Sequence, residues 1–301
     1  MTIFDKRCLR CLKTGDIIAN EVISGANLRA VLCKESIMLY LYETHLHTAQ
    51  SSKCGRSLGS EHARYYRERG YQGIIITDHF FQGNTNIDAE LPWHKRVNLF
   101  CAGYEDALEE GQKIGLDVFF GWEQRFDWDE YLIYGLDKQW LLDHPEVETW
   151  NRREQLECVR RDGGCVVQAH PFRDRTYMTS IALGGLFADG IEGVNASQPA
   201  YNNASAMRYA REMGLPAIAG SDNHNSADPK WTKELLTGIE LDQKLKSIHE
   251  LVRIIREKQP IALHCTEAHS LILPEDKPQL EVFCLNENEE YIPETRDWLR
   301  G

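Results

Sequence analysis

The chain has 301 residues, of which 42% are hydrophobic and 27% are charged, a balance typical of a folded globular protein rather than a disordered one. Lys and Arg total 34 against 46 Asp and Glu, so the formal net charge is −12. An acidic surface repels nucleic acid and anionic membranes, and we expect neither as a partner. The cysteine count of nine is odd and the first residues lack a signal peptide's apolar core, which predicts a cytoplasmic protein with free thiols.

Short apolar runs alternate with amphipathic segments of helix length, the pattern of repeated strand–helix units. An extra run at 131–136 is expected to form a local hairpin or an inserted strand. Three helices have clear ends, each set by a Gly or a Pro: 61–69 with Ser60 as N-cap, 201–213 and 247–258. Seven runs are expected to form strands: 38–42, 73–77, 117–120, 165–169, 190–194, 216–220 and 260–264.

The ends of the chain fall outside this alternating pattern. Residues 1–37 precede the first run and are predicted to be an N-terminal extension. The main domain is expected to cover 38–301, with a C-terminal extension from about 270 that contains one or two further strands.

Polar side chains follow the apolar runs, at the points where the strands are expected to end. Parallel strands of a barrel place their carboxyl ends on one face, so these side chains should converge there. Such a concentration of His, Asp and Glu would be unusual in a packed core and predicts a metal site. The residues, in chain order, are His45, His47, Asp78, His79, Glu123, His170, Asn195, Asp222, His224 and His264.

A single His in a loop is usually hydrogen-bonded or solvated rather than bound to a metal. His45 and His47 differ because two residues separated by one position in an extended segment point to the same side. Both imidazoles can therefore reach one cation. No role is assigned to the remaining histidines: His62, His94, His144, His249 and His269.

The mixture of imidazoles and carboxylates indicates which chemistry to expect. Such ligands suit Zn²⁺, Fe²⁺ or Mn²⁺, and a carboxylate such as that of Glu123 could bridge two cations. Paired cations activate a water as hydroxide at neutral pH and neutralise the charge of an attacked anion. Hydrolysis follows from these properties more naturally than redox chemistry.

Six motifs at these positions resemble those of the PHP family, the polymerase and histidinol phosphatase phosphoesterases. They occur in the family's order and cover roughly residues 39–264. The resemblance implies an α/β fold, a distorted seven-stranded (β/α) barrel of the PHP type, with two or three divalent metal ions at one rim. The motifs are THLHT (44–48), ITDHF (76–80), GWE (121–123), AHP (169–171), IEGVN (191–195) and GSDNH (220–224).

The resemblance also implies ligands for the first two metal ions. His45 and His47 would bind one ion together with Asp222. Glu123 would bridge this ion to a second one, and His170 would be the other ligand of the second ion.

A third ion would be held by His79 and His224, and Asp78 would orient a ligand rather than bind directly. Two departures from the family pattern leave the number of ions open between two and three. Asn195 stands where some members have a His, and an amide oxygen is a weaker ligand. The loop that often supplies another His, Asp or Glu here offers only Cys54, which could ligate, although a thiol without a role is the expected case.

Phosphate recognition requires fixed positive charge near the metal ions. The candidates on predicted rim loops are Arg173, Arg125, Lys53 and Arg56. Arg173 is the first choice for clamping the substrate, because a guanidinium matches phosphate oxygens bidentately. His224 is a candidate for protonating the leaving oxygen, as is a water.

The predicted function is hydrolysis of a small phosphate ester, similar to histidinol phosphate or a nucleotide, by a metal-activated hydroxide. One alternative keeps the metal ions but cleaves an amide or a carboxyl ester, since binuclear barrels support both chemistries. Another is a non-catalytic, metal-stabilised PHP module that acts through partners.

Overall fold

The computed structural model describes residues 39–228, 236–265, 280–296 and 298. The predicted N-terminal extension 1–37 lies outside these residues, as do His269 and the segment 266–279. The predicted domain boundary therefore stays a prediction.

Helices and strands alternate through most of the described chain, as the apolar pattern predicts. The α helices are α1 Gly59–Glu68, α2 Trp93–Phe100, α3 Ala102–Ile114, α4 Lys138–Asp143, α5 Arg152–Arg161, α6 Ala200–Met213 and α7 Ile248–Arg256. Short 3₁₀ helices span Pro145–Glu148 and Gly185–Phe187. The strands are β1 Tyr40–Leu46, β2 Gly73–Ile76, β3 Asp117–Arg125, β4 Glu130–Tyr134, β5 Cys165–Gln168, β6 Ser180–Leu183, β7 Gly190–Asn195, β8 Ala217–Gly220, β9 Gly238–Leu241, β10 Ala262–His264, β11 Glu281–Leu285 and β12 Tyr291–Pro293.

Nine strands form one sheet in the order β10–β9–β1–β2–β3–β4–β5–β7–β8. A parallel bridge between Leu46 and Asn223 brings the end of β8 back to β1. Seven strands, β1–β5, β7 and β8, therefore make a nearly closed ring, which confirms the predicted barrel. β4 runs antiparallel to both of its neighbours within this ring.

The identity of the seventh strand differs from the prediction. The run 260–264 contains β10, which pairs antiparallel with β9 at the sheet edge instead of joining the ring. The ring position is filled by β4, from the extra run at 131–136. An apolar run indicates a strand but does not specify its partner or direction, and the four-residue β9 was too short to be recognised.

The first helix begins two residues before its predicted start, with Leu58 rather than Ser60 as its N-cap. The carboxylate of Glu61 accepts a 2.7 Å hydrogen bond from the Leu58 amide. The Ser60 amide is already inside the helix and donates to Asp106. By contrast, α6 ends at Gly214 as predicted, because Gly214 adopts the left-handed conformation (φ 64°) that glycine permits.

The apolar core consists of three clusters in which strands pack against helices. One joins Tyr66 of α1 to Ile74 of β2, and another joins Tyr42 of β1 to Val252 of α7. The largest contains Trp122 of β3 together with side chains of α2, α5 and α6. The cluster around Tyr42 extends inside the ring, since it includes Leu132, which pairs directly with Glu123 and so faces the same side.

A second sheet of three strands has the order β12–β11–β6. β11 is parallel to β6 and antiparallel to β12, so the predicted C-terminal strands are present at Glu281–Leu285 and Tyr291–Pro293. None of the helices in the described part of the chain has the length and apolar character needed to span a bilayer.

Candidate metal centre

The first strand extends further than predicted, through Leu46, and this extension orients the paired histidines. Leu46 packs into the apolar cluster of α1 and β2, so its neighbours His45 and His47 share the opposite face. Both imidazoles are fully buried, and their Nε2 atoms lie 3.0 Å apart. Two ring nitrogens that face each other in this way are suited to a shared cation.

Glu123 occupies the middle of the cluster. It lies within β3, beyond the predicted run, and a parallel bridge to His79 continues the pairing of β2 with β3. Its Oε1 lies 2.9 Å from Nε2 of His170 and 3.5 Å from Nε2 of His45, whereas its Oε2 lies 2.6 Å from Nδ1 of His79. With Nε2 of His47 at 3.6 Å from Oε2, one carboxylate faces four imidazoles, as a bridging ligand would.

Asp222 approaches the same histidines from the end of β8. Its Oδ1 lies 3.2 Å from Nε2 of His47 and 3.7 Å from Nε2 of His45. Asp222 and His170 both adopt positive φ angles, 53° and 26°. Side chains other than glycine rarely adopt this conformation, and such strain is concentrated at functional sites.

The buried polar atoms fit a metal ion better than they fit one another. Nδ1 of His79 and Oε2 of Glu123 are 2.6 Å apart, yet neither has a partner with hydrogen-bond geometry. Buried polar groups are normally paired, so this arrangement indicates missing positive charge. Groups with ligand atoms within 4.8 Å of one another at this rim are His45–His47–Glu123, His45–His170–Asp222, His47–His79–His224 and His79–Glu123–Glu130.

The electrostatics of the cluster favour the ligand forms of three residues. Burial alone would raise the pKa of Glu123 and Asp222, but the surrounding histidines hold both well below the usual range. Burial, together with the nearby His79 and His224, lowers the pKa of His47 well below its usual value. Two ionised carboxylates and a neutral imidazole are the forms that bind divalent cations.

Glu130 belongs to the cluster although it was not predicted. Its Oε2 lies 3.6 Å from Nε2 of His170, which also faces Glu123. Glu130 is the first residue of β4, and an antiparallel strand begins at the rim where its parallel neighbours end. In the sequence, Glu130 directly precedes the extra apolar run at 131–136.

Glu192 is a second residue that the sequence analysis missed, and it changes the interpretation of Asn195. Glu192 is fully buried in β7, where its Oε1 accepts a 2.9 Å hydrogen bond from Nδ1 of His45. Its Oε2 accepts from the amide of His170 and from Nδ2 of Asn195. Asn195 also accepts from the Ser197 amide, so its side chain holds Glu192 and the loop instead of facing the ligand cluster.

Asp78 holds the loop that follows the paired histidines. It accepts hydrogen bonds from the amide and hydroxyl of Thr48 at 2.6 and 2.7 Å and from Ser52 at 2.7 Å. The Ser52 hydroxyl in turn lies 3.4 Å from Nδ1 of His47. This geometry matches the predicted orienting role rather than direct binding.

His79 and His224 flank the outer side of the cluster. The His47 ring stacks against both, with centroids 4.2 Å from His79 and 4.4 Å from His224. Nδ1 of His224 donates a 2.7 Å hydrogen bond to the Asp222 carbonyl, which leaves Nε2 for another partner. Against the effect of burial, contacts with His224 and His79 lower the pKa of the Cys54 thiol to about 6.

A cavity of about 510 Å³ opens beside these ligands. Arg125 and Arg173 both line it, as predicted for substrate-binding residues, together with Tyr177. Lys53 and Arg56 are exposed, and neither belongs to the lining. The structure therefore brings two of the four predicted basic residues to the cavity.

Histidines that were given no role have structural contacts of their own. His62 is fully buried; it donates from Nε2 to the His47 carbonyl and accepts from the Ser226 hydroxyl at Nδ1. His264, which was expected near the rim, lies in β10 and pairs with Glu240. Its place follows from the edge position of β10.

Comparisons with known proteins agree with this fold. A family model described as PHP-associated (PHP_C) matches residues 200–228, which contain α6, β8 and the Asp222–His224 segment. A two-domain protein from Bacteroides vulgatus, which contains a predicted PHP-like metal-dependent phosphoesterase, shares the fold with a TM-score of 0.56. The chain therefore shares the fold of this PHP-like protein, and its match to the family model covers residues 200–228.

The similarity of this chain to these solved structures is distant. It is 17% identical to the Bacteroides protein, and the match covers 76% of this chain and 66% of that one. The chain therefore spans just under two thirds of the length of the Bacteroides protein. An amidohydrolase from Chromobacterium violaceum, with bound sulfate and no metal, has a TM-score of 0.45 and 14% identity over 76% of this chain and 99% of that one. No curated protein matches the chain.

Proposed function

We propose that the protein is a metal-dependent hydrolase that cleaves the phosphate ester of a small molecule, similar to histidinol phosphate or a nucleotide. The observation that carries the proposal is the convergence of buried imidazoles and carboxylates beside a cavity lined by Arg125 and Arg173. Divalent Mn, Fe or Zn fits this donor set, and two or three ions are proposed.

The chain's own residues have distinct roles in this proposal. Bound cations would lower the pKa of a water and neutralise phosphate charge. Glu123 and Asp222 place negative charge between the imidazoles, and Glu192 fixes the ring of His45 so that Nε2 faces the centre. These contacts fix the geometry before substrate binds, so little reorganisation is needed during the reaction.

The two arginines differ in how firmly they are already held. Arg173 donates to Glu130 and to the Tyr177 hydroxyl, whereas Arg125 has no ion pair within the described part of the chain. Arg125 is therefore the more available guanidinium for phosphate oxygens. Arg173, the first choice from sequence, acts from a position fixed by Glu130.

His224 was predicted both as a ligand and as the acid for the leaving oxygen. Because its Nδ1 is engaged by the Asp222 carbonyl, only Nε2 is left for one of these roles. We assign Nε2 to a cation and propose that the leaving oxygen takes its proton from water in the cavity.

The test measures turnover of an aryl phosphate by protein loaded with Mn²⁺, Fe²⁺ or Zn²⁺. An aryl ester of a carboxylic acid and an aryl amide are tested as substrates for comparison. Replacing Arg125 with Ala should lower phosphate hydrolysis about tenfold to hundredfold, the worth of a charged hydrogen bond. Arg253→Ala, an exposed arginine on α7, is the matched control and should leave the rate unchanged.

The alternative hydrolases give a different pattern in the same experiment. Turnover of the carboxyl ester or the amide, with Arg125→Ala as active as the parent, would favour the amide or ester hydrolase. Bound metal without turnover of any of the three substrates would favour the non-catalytic module.

A further inference from the structure

Cys54 lies at the metal cluster but has no part in the function proposed above. Its thiol contacts the imidazoles of His79 and His224, and the three side chains line the same cavity. Cys54 is half-buried and is one of the free thiols of the described chain.

The loop that carries Cys54 is attached on both sides of the thiol. The Lys53 amide donates a 2.9 Å hydrogen bond to the carbonyl of Asn84, in the segment that follows His79. The Arg56 amide donates a 2.7 Å hydrogen bond to the carbonyl of His224 itself. The position of Cys54 is therefore tied to the segments that present both imidazoles.

A close approach of the backbone strengthens this attachment. A Cβ atom added to Gly55 would overlap the carbonyl oxygen of Thr48, so only glycine fits there. Thr48 is in turn fixed by its two hydrogen bonds to Asp78. The turn after Cys54 is thus packed directly against the segment that carries the paired histidines.

Both imidazoles present a remaining nitrogen for a shared partner. Nδ1 of His224 is used by the Asp222 carbonyl, and Nδ1 of His79 faces Glu123. Their ring centroids are 6.2 Å apart. Thiolate sulfur and imidazole nitrogen are both ligand types that Zn²⁺ accepts, and three protein ligands would leave one position open.

We propose that the Cys54 thiolate is a metal ligand and completes, with His79 and His224, a cation position that prefers thiophilic Zn²⁺ or Co²⁺ to Mg²⁺ or Mn²⁺. Soft sulfur ligands favour the former pair, whereas the carboxylate-rich position around Glu123 and Glu130 also accepts harder cations. This inference rests on the metal centre of the proposed function.

The experiment is a Co²⁺ titration of the full chain after removal of metal with a chelator. A cobalt–thiolate bond gives a sulfur-to-metal charge-transfer band in the near ultraviolet, which imidazole and carboxylate ligands do not give. We expect the band in the parent and in the control variant Cys265→Ser, whose thiol is exposed. In Cys54→Ser we expect the band to disappear and the protein to bind one cobalt ion fewer.

A second measurement uses the parent protein alone and so does not depend on the folding of a variant. Alkylation by N-ethylmaleimide, mapped to each cysteine by mass spectrometry, should be slowed at Cys54 by Zn²⁺ but not by Mg²⁺. Alkylation of Cys265 should be the same in both cases.

The possible results separate this inference from the proposed function. In one result, cobalt binds without a charge-transfer band, and Cys54 is alkylated equally fast with and without Zn²⁺. This result overturns the thiolate ligand and leaves the metal centre in place. No binding of Co²⁺ or Zn²⁺ overturns both.

Discussion

Nη1 of Arg173 donates a 2.7 Å hydrogen bond to Oε2 of Glu130 at the edge of the candidate metal centre. The same oxygen lies 3.6 Å from Nε2 of His170. Glu130 therefore connects the proposed substrate-binding arginine to a proposed metal ligand. Phosphate binding and metal binding are expected to be coupled through this carboxylate.

Glu130→Gln tests this coupling. A neutral amide binds a cation more weakly and no longer pairs with Arg173, so we expect metal affinity to fall by about tenfold or more. Elemental analysis after dialysis against a graded chelator measures the loss. Glu148→Gln is the matched control because Glu148 forms a similar pair with Arg96 at 2.6 Å. Equal metal retention in both variants would contradict the role of Glu130.

Glu192→Gln tests the orientation of the paired histidines. The Oε1 of Glu192 accepts from Nδ1 of His45, and an amide nitrogen in its place would oppose that donor. Metal affinity should fall about tenfold to hundredfold, the usual effect of removing such a partner. Glu240→Gln, which breaks the separate pair with His264, should keep its metal. Unchanged affinity in Glu192→Gln would show that the ring is held by other contacts.

His62 should make the metal-free protein less stable in acid. Burial lowers the pKa of His62 to about 4, whereas the unfolded chain protonates near the ordinary value of 6.5. The unfolded state then binds more protons between these values, so this contribution is complete above pH 6.5 and is lost as the pH falls towards 4. The loss is about 3 kcal/mol.

Urea unfolding at several pH values measures this effect. The slope of the unfolding free energy between pH 6.5 and 4 should decrease in His62→Gln and stay unchanged in His249→Gln, an exposed histidine on α7. The same slope in all three proteins would refute the assignment.

Gly55→Ala should disturb both stability and the Cys54 loop. The added methyl group would overlap the Thr48 carbonyl oxygen, and such overpacking costs about 1–3 kcal/mol. Gly70→Ala is the control, because Gly70 has a strained φ of 82° but open space around it. We expect both variants to be less stable in urea unfolding and only Gly55→Ala to bind less Zn²⁺. Full zinc binding by Gly55→Ala would show that the loop can shift without cost.

The sequence predicted the ligand cluster because its residues follow from local rules. His45 and His47 share a face by alternation along a strand, and Asp222 follows a strand end. Alternation does not extend back to Glu43, because the register of β1 against β2 shifts between Glu43 and Leu46. The barrel was predicted from the succession of apolar runs in the same way.

The remaining features depend on long-range pairing, which a single sequence does not reveal. Glu130 reaches the centre because β4 is antiparallel, and Glu192 reaches His45 across 147 positions of the chain. The place of Asn195 at a strand end predicts a ligand, whereas its amide pairs with Glu192. His264 was placed near the rim because the direction of β10 could not be derived from its residues.

The most direct test of the central claim is the metal content of the purified protein by elemental analysis, after reconstitution with Mn²⁺, Fe²⁺ or Zn²⁺ and removal of free metal. Aryl phosphate hydrolysis is measured on the same samples, with Glu123→Ala for comparison. The account predicts two or three bound ions and phosphate release in the parent, and the loss of both bound metal and phosphate release in Glu123→Ala. A parent protein that binds none of these metals would contradict it.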